Sequence, residues 1–313
     1  MKVFRHIDRL PAFNRSVITI GTFDGVHIGH QKIIQQLQKI AKACGGESVL
    51  ITFHPHPRHI VNPQLDLLEL TTLEERIQLL RKYGIDNLVV VPFTESFAEL
   101  TAEAYIKDFL VAKFQPHKII IGYDHKFGNK REGDFRLLQS HAQAYHYEVI
   151  EIDEEIIQES IISSTKIRNA LLSGDLQLAN EFLGHPYSFK GRIILNNQTG
   201  RSIGFPTANL DIEEKGKLIP GNGVYTVTAS LEGDERKFKG MMNIGMRPTI
   251  NGTYRSIEVH LFDFNEDIYD RHLTVSLQHY IRPEQKFSGL PALQEQLHKD
   301  KIQSIELLAH IKL

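Results

Sequence analysis

The chain is poor in cysteine and has no long apolar run. Its 313 residues include one cysteine, Cys44, which excludes an intrachain disulfide and fits a reducing compartment. No stretch approaches ~18 consecutive apolar residues, and the opening MKVFRHIDRLPAF has no apolar run of signal-peptide length. We therefore expect no transmembrane helix, no secretion signal and a cytoplasmic location.

An excess of one charge is also missing. The 36 Lys and Arg residues offset 38 Asp and Glu residues, for a net charge of −2, so we expect neither nucleic acid nor a membrane surface as a partner. The phosphate-binding pattern Gly-x4-Gly-Lys-Ser/Thr is absent, and no Gly-x-Gly-x-x-Gly follows a predicted strand. Any kinase or nucleotide chemistry therefore needs another phosphate-binding loop. The sequence leaves the oligomeric state open.

The stretch ITIGTFDGVHIGH, residues 18–30, predicts a strand, a tight turn and the start of a helix. The strand residues are mostly β-branched, Asp24-Gly25 is a turn pair, and apolar residues then recur at helical spacing up to Gly45-Gly46. A helix N-terminus offers free N–H groups and partial positive charge to a phosphate. His27 and His30, three residues apart, can donate hydrogen bonds to the same phosphate.

Strand and helix patterns alternate through the first half of the chain. Apolar runs at residues 48–53, 88–91 and 118–121, together with the stretch 147–152, predict strands, and Thr72 with Glu75 forms a capping box for an intervening helix. This alternation predicts a doubly wound parallel sheet. Ligands bind at the carboxyl ends of such strands, so the 21–30 turn, the HPHP loop and the Asp124 loop should lie along one edge.

The HPHP loop after the second long strand is rich in histidine. His54, His56 and His59 admit a metal site, but the prolines favour an extended loop and no cysteine or carboxylate joins the histidines. We therefore favour contact with a substrate.

A second helix start lies in SSTKIR, where Ser164 is a good N-cap and Arg168 follows four residues later on the same face. Alone, this pattern indicates only a capped helix. Together with His27-Ile28-Gly29-His30, it resembles the paired motifs of the nucleotidyltransferase superfamily, whose histidines contact a nucleotide triphosphate.

Beyond Gly184 the pattern changes to short strands separated by turns, which predicts an antiparallel barrel. A C-terminal helix is predicted over residues 291–312. In GRSIGFPTANL, two glycines allow close backbone approach to a ligand, and Thr207 and Asn209 can converge on a hard cation such as Mg²⁺. Glu258 is an isolated acid in an apolar strand, a position that is usually solvent-facing.

The order of these motifs resembles the bifunctional prokaryotic-type riboflavin kinase/FMN adenylyltransferase family, the FAD synthetases. The likeness covers essentially the whole chain: it rests on GTFDGVHIGH, FHPHP, GYDHKFG and ISSTKIRNAL, then on GRSIGFPTANL, GVYTV, NIGMRPT, IEVHLFDF and IRPEQKF. It implies an α/β doubly wound nucleotidyltransferase domain over residues 1–184, followed over residues 185–313 by an antiparallel β-barrel kinase domain with a C-terminal helix.

The resemblance also implies the chemistry. The barrel would phosphorylate riboflavin from ATP to give FMN, and the first domain would join FMN to a second ATP, giving FAD and pyrophosphate, with Mg²⁺ as cofactor. Four residues would be catalytic: Glu258 as base, His27, His30 and Arg168. The implied nucleotide contacts are Gly21, Thr22, Phe23, Asp24, His27, His30, Asp124, Ser164, Thr165, Arg168, Gly200 and Gly204. The implied flavin contacts are Phe53, His56, Pro57 and Arg247, and the metal ligands are Thr207 and Asn209.

Two alternatives stay open at this level. The chain could retain only one live activity, or it could bind flavin without turnover. The intact motifs of both halves favour two activities.

Overall fold

The computed structural model describes residues 1–122, 125–152, 162–195, 199–249 and 252–311. For Thr199, Ser202, Pro248, Thr249, Gly252 and Thr253 we describe the backbone only. By chain contacts the protein divides into two compact units, Met1–Ser164 and Thr165–Leu313. The predicted functional boundary at Gly184 stays a prediction.

The first unit is built on a six-stranded parallel sheet with the strand order β1-β4-β3-β2-β5-β6. Its strands are β1 Lys2–Phe4, β2 Val17–Ile20, β3 Ser48–His54, β4 Asn87–Pro92, β5 Lys118–Gly122 and β6 Glu148–Ile152. The predicted parallel α/β class is confirmed. Only the three-residue β1, at the edge of the sheet, was not predicted.

Alternate side chains of the central strands pack into two separate hydrophobic cores. Ile18 and Ile20 of β2 pack in one core, whereas Val17 packs in the other. Neighbouring side chains of a strand point to opposite faces, so the sheet is covered on both sides. This double cover explains why the strands appear in the sequence as continuous apolar runs.

The helices of this unit begin and end close to their predicted signals. Thr72 and Glu75 form the predicted capping box, and Gly45 ends the first helix with a left-handed φ of 65°. The helix capped by Thr101 has a π-helical middle, Tyr105–Val111. The helices are α1 Ile28–Cys44, α2 Pro57–Val61, α3 Leu73–Arg81, α4 Glu95–Ala98, α5 Ala102–Ala104 continuing to Ala112–Phe114, and α6 Phe135–Tyr145.

The second unit is a closed antiparallel barrel with the strand order β10-β11-β8-β7-β12-β9. Its strands are β7 Ser188–Ile194, β8 Ala208–Asp211, β9 Gly223–Leu231, β10 Lys237–Thr249, β11 Gly252–Leu261 and β12 His272–Arg282. Its helices are α7 Ser164–Ser173 (with Ser164 in the first unit), α8 Leu176–Leu183, α9 Thr199–Ser202 and α10 Leu290–Leu307. The barrel with its C-terminal helix is confirmed.

Two details of the second unit differ from the prediction. β8 overlaps the end of the GRSIGFPTANL motif, where four residues of mixed polarity gave no strand signal. Helix α10 ends at Leu307 and not at residue 312, and residues 312 and 313 lie outside the described part of the chain. Leu308 is buried just beyond the helix end.

Candidate active sites

The 21–30 turn leaves the carboxyl end of β2 with a strained backbone. Phe23 and Val26 have φ values of 49° and 42°, and Gly25 has 81°. A left-handed conformation is rare for a β-branched residue such as Val26. A Cβ added at Gly21 would lie 3.1 Å from the Phe23 ring, so glycine lets that ring fold back over the strand end. The turn is therefore held in one shape by its surroundings.

Buried hydrogen bonds hold that turn. Asp24 is 1 % exposed, and its carboxylate accepts from the backbone N–H of Leu70 at 3.1 Å and of Thr71 at 3.0 Å. The Thr71 hydroxyl donates to Asp24 at 3.2 Å and accepts from the Gly25 N–H at 3.1 Å. Asp24 thus anchors the turn to the segment before α3, while its predicted contact with the nucleotide stays a prediction.

His27 and His30 lie together at the start of α1, as the sequence predicts. Their rings stack with centroids 3.6 Å apart, and Nδ1 of His27 accepts from the His30 N–H at 3.4 Å. Burial, with the nearby charges of His27 and Arg76, lowers the pKa of His30 well below 6.5. His30 is half-buried as a whole, but its Nδ1 is enclosed and has no partner among the described residues. A neutral His30 ring still carries one N–H group that can donate to a phosphate oxygen.

The 53–59 loop follows β3, which pairs in parallel with β2, so both carboxyl ends meet at the predicted edge. Phe53 is buried and packs against Phe93 with ring centroids 5.4 Å apart. His56 caps α2, since its Nδ1 accepts from the Arg58 N–H at 3.2 Å, and Pro57 is the first helical residue. Within the described ranges no group of three or more His, Cys, Asp or Glu side chains is arranged to hold a metal ion.

Helix α7 begins at Ser164, one residue earlier than a capping serine would place it. The Ser164 hydroxyl donates to the Asp24 carbonyl at 3.2 Å, which brings this second motif to the 21–30 turn. Thr165 and Arg168 follow in the first turns of the same helix, and their contacts with a nucleotide stay predictions. Asp124 lies outside the described residues.

A cavity of about 770 Å³ in the second unit collects most of the barrel residues that the sequence singled out. Its lining includes Gly200, Thr207, Asn209, Arg247 and Glu258. Gly204 is not among the lining residues, although it lies in the same turn as Gly200. Five residues separated by up to 58 positions in the chain thus meet in one cavity.

Glu258 lies in the wall of this cavity and not on a solvent-facing strand surface. On β11 it is paired with Asn209 of β8 on one side and with Asn243 of β10 on the other. Its Oε1 accepts from Nη2 and Nε of Arg247 at 3.1 and 3.2 Å, and its side chain is 22 % exposed. The carboxylate is therefore oriented by a guanidinium and still open to a ligand.

The donor set beside Glu258 fits a hard cation. Thr207 and Asn209 offer oxygen atoms, the ligand type that Mg²⁺ prefers. A Cβ at Gly200 would lie 2.2 Å from the Phe205 carbonyl oxygen and 3.5 Å from Oγ1 of Thr207. Only glycine therefore lets this turn close against the Thr207 segment.

Two family models match separate parts of the chain. Residues 10–166 match the family model described as FAD synthetase, and residues 183–308 match the model described as riboflavin kinase. A bifunctional riboflavin kinase/FMN adenylyltransferase of Buchnera aphidicola is 41 % identical over 305 residues, with 96 % of each chain covered. The chain belongs to the bifunctional riboflavin kinase/FMN adenylyltransferase family.

Other bifunctional riboflavin kinase/FMN adenylyltransferases also match this chain over nearly its full length. The Escherichia coli K12 protein is 37 % identical over 314 residues, covering 100 % of this chain and 99 % of its own. The Listeria monocytogenes protein is 39 % identical over 287 residues, covering 91 % and 90 %. Because coverage is nearly complete on both sides, the two halves belong together in one bifunctional enzyme.

One solved structure is similar to nearly the whole chain. It is described as a macrolide-efflux protein from Streptococcus pneumoniae, with a TM-score of 0.84, 30 % identity, and coverage of 96 % of this chain and 97 % of that chain. Among the residues described for the present enzyme, none of the helices has both the length and the apolar character needed to cross a bilayer.

The enzyme is a transferase with two activities. Its C-terminal half is a riboflavin kinase that makes FMN, and its N-terminal half is an FAD synthetase that adenylates FMN. ATP and flavins are the substrates that these activities require. The prediction of a bifunctional enzyme of FAD biosynthesis is confirmed.

Sequence reasoning missed two residues beside the first site, Thr71 and Arg76. Arg76 is 1 % exposed, although a charged residue in a helix is usually solvated. A signal was available, because Arg76 lies three residues after Leu73 and four before Leu80, on the apolar face of α3. The barrel cavity likewise includes Arg282 and Glu284, which belong to the IRPEQKF motif but were given no role from the sequence.

Proposed function

We propose that Glu258 is the general base of the kinase reaction. The observation that carries this proposal is that Glu258, Thr207, Asn209, Gly200 and Arg247 line one cavity. The terminal hydroxyl of riboflavin is a poor nucleophile, and a positioned carboxylate can take its proton as the hydroxyl oxygen attacks the γ-phosphorus of ATP. ADP leaves, and FMN carries the transferred phosphoryl group.

In this proposal Arg247 interacts with both Glu258 and the flavin. Its guanidinium orients Glu258 in the structure, and it contacts the flavin when riboflavin is bound. Gly200 and Gly204 let the 199–205 turn follow the ATP phosphates closely. Thr207 and Asn209 hold Mg²⁺, which when bound neutralises charge on the phosphate oxygens.

For the first unit we propose adenylyl transfer by positioning and charge stabilisation. The FMN phosphate is already a nucleophile, so it attacks the α-phosphorus of ATP without a base, and pyrophosphate leaves. His27 and His30 and the first N–H groups of α1 receive the triphosphate, and Arg168 stabilises the charge that develops on it. The remaining proposed nucleotide contacts are Gly21, Thr22, Phe23, Asp24, Asp124, Ser164 and Thr165.

The flavin side of this reaction is proposed for Phe53, His56 and Pro57. Support comes from the position of Phe53 near the carboxyl end of β3 and of His56 and Pro57 just after it, beside the turn that follows β2. We further propose residues 1–184 and 185–313 as the two functional domains, and the cytoplasm as the location, since a single cysteine fits a reducing compartment.

A pair of variants tests both halves of this proposal in one chain. Glu258→Gln should lower kcat for riboflavin phosphorylation by about 10²–10⁴-fold, while the conversion of added FMN to FAD continues. His30→Asn should do the opposite. Chromatographic time courses with ATP and Mg²⁺, started from riboflavin or from FMN, separate the two steps. Unchanged FMN formation by Glu258→Gln would remove the base assignment, and unchanged FAD formation by His30→Asn would remove the phosphate role of the turn.

A further inference from the structure

Among the described residues, Arg76 is the largest fully buried side chain that carries a charge. It is 1 % exposed and lies on α3, the helix that covers one face of the first sheet. Removing a guanidinium from water costs several kcal/mol unless oxygen atoms surround it. Arg76 is not among the proposed nucleotide, flavin or metal contacts. Its burial must therefore be explained by the groups that it contacts.

Its partners converge from two segments, residues 69–71 before α3 and the carboxyl end of β3. Nη2 of Arg76 lies 2.8 Å from Oε2 of Glu69 and donates to the Thr71 carbonyl at 3.3 Å. Nη1 donates to Oγ1 of Thr52 at 3.4 Å and to the Phe53 carbonyl at 3.5 Å. Several of these bonds are long, so the charge is shared among many oxygens while Glu69 supplies the opposing charge.

Toward the 21–30 turn, Arg76 acts through two hydroxyl groups. Its Nε donates at 3.5 Å to Oγ1 of Thr71, the atom that also binds Gly25 and Asp24. Oγ1 of Thr52, the second hydroxyl, donates to the Thr22 carbonyl at 3.1 Å. Each hydroxyl therefore connects the buried guanidinium to the backbone of the turn.

Toward the 53–59 loop, Arg76 acts on the other side of the same cluster. It contacts the backbone of Phe53, where the loop leaves β3. Its ion-pair partner Glu69 also lies 3.4 Å from Nε2 of His59, on α2 of the loop. One side chain thus reaches both segments that carry the proposed ATP and flavin contacts.

We propose that Arg76 is a positioning residue for adenylyl transfer, which fixes the 21–30 turn relative to the 53–59 loop so that the FMN phosphate lies in line with the α-phosphorus of ATP. This inference rests on the proposed function of the two loops. Lysine cannot replace the planar fork, because its single nitrogen cannot reach Thr71, Thr52 and Glu69 from one position. The positive charge also helps to keep the neighbouring His30 neutral.

Three variants separate positioning from a purely structural ion pair. Arg76→Met removes the arginine partner of Glu69, whose side chain is 14 % exposed, and should lower the thermal midpoint. The double variant Arg76→Met with Glu69→Gln removes both charges and should recover the midpoint, because a buried pair contributes little net stability. Arg76→Lys keeps the charge and the fold but loses the fork. Arg81→Met, at an exposed arginine of the same helix, is the matched control.

The readouts are the thermal midpoint, kcat and KM for FMN adenylation, and riboflavin phosphorylation by the same sample. We expect the double variant and Arg76→Lys to lose about 10²-fold in kcat/KM for adenylation, with KM raised for both ATP and FMN and kinase rates unchanged. Wild-type adenylation kinetics in a folded Arg76→Lys or double variant would overturn the inference. If His30→Asn also keeps wild-type adenylation, the proposed function of the turn fails as well, whereas an inactive His30→Asn confines the failure to Arg76.

Discussion

A methyl group at position 200 has no room in the turn that precedes Thr207. The Cβ of Gly200→Ala would lie 2.2 Å from the Phe205 carbonyl oxygen, against 3.4 Å or more in an ordinary contact. That oxygen belongs to backbone and cannot swing away. The turn is closed by hydrogen bonds from the Phe205 and Ile203 N–H groups to the Gly200 carbonyl, at 2.8 and 3.2 Å. It must open by about 1 Å to admit the methyl group, at a cost of about 1 kcal/mol for each bond lost.

The displacement reaches the proposed metal ligands, because Thr207 follows Phe205 by two residues. A misplacement of about 1 Å in a positioned group can lower a rate by about 10²-fold, and we expect that loss in kcat/KM for riboflavin phosphorylation. Gly204→Ala is the matched comparison. Gly204 has a φ of 82° but no atom within 4 Å of the added Cβ, so it should cost about 1 kcal/mol in stability and less in rate than Gly200→Ala.

The assay is the initial rate of FMN formation over a range of riboflavin and Mg²⁺ concentrations, with urea unfolding of each variant. Adenylation of added FMN by the same samples reports on the other half of the chain. If Gly200→Ala keeps wild-type kcat and Mg²⁺ dependence, or if Gly204→Ala loses more activity, steric closure of the turn does not position Thr207.

Two further predictions concern stability. Burial lowers the pKa of His30 in the folded chain. Below about pH 6.5, His30 is therefore protonated in the unfolded chain but stays neutral in the folded chain. The free energy of unfolding should therefore fall by up to about 1.4 kcal/mol per pH unit on acidification; urea titrations near pH 7 and pH 5.5 should show a smaller fall in His30→Asn, and equal falls would contradict this. In the barrel, Asp300 is 1 % exposed and binds Arg282 through three hydrogen bonds of 2.7 to 3.2 Å. Asp300→Ala should cost about 3 kcal/mol by chemical denaturation, whereas Lys299→Ala, in an exposed pair, should leave stability unchanged.

Strands and helices with a periodic apolar pattern can be predicted from the sequence. Features that form only when the barrel closes cannot. The central parallel strands are apolar runs, and the capping box at Thr72 is visible because its partner Glu75 lies three residues away. β8 is short and polar, and it becomes a strand only because β7 and β11 lie on either side of it. For the same reason Glu258 looks solvent-facing in the sequence and lines a cavity in the barrel.

The buried polar cluster of the first unit shows the same limit. Asp24 is visible as a turn residue, but its partners lie 46 and 47 positions away. The helical spacing of Arg76 predicts that it is buried, but its charge predicts that it is exposed, and the charge is the stronger signal. Pairing of this kind depends on which loops meet at the sheet edge, and that follows from strand order rather than from local pattern.

The division between the compact units falls after Ser164, at the first residue of helix α7. A gene fragment that ends at Ser164 would keep His27, His30 and the 53–59 loop but would lack Thr165 and Arg168. A fragment meant to make FAD on its own should therefore extend through the end of α8 at Leu183, and a fragment meant only to phosphorylate riboflavin should begin after it. Dissection of this chain into separate activities has to follow the proposed chemistry of each half rather than the most compact cut.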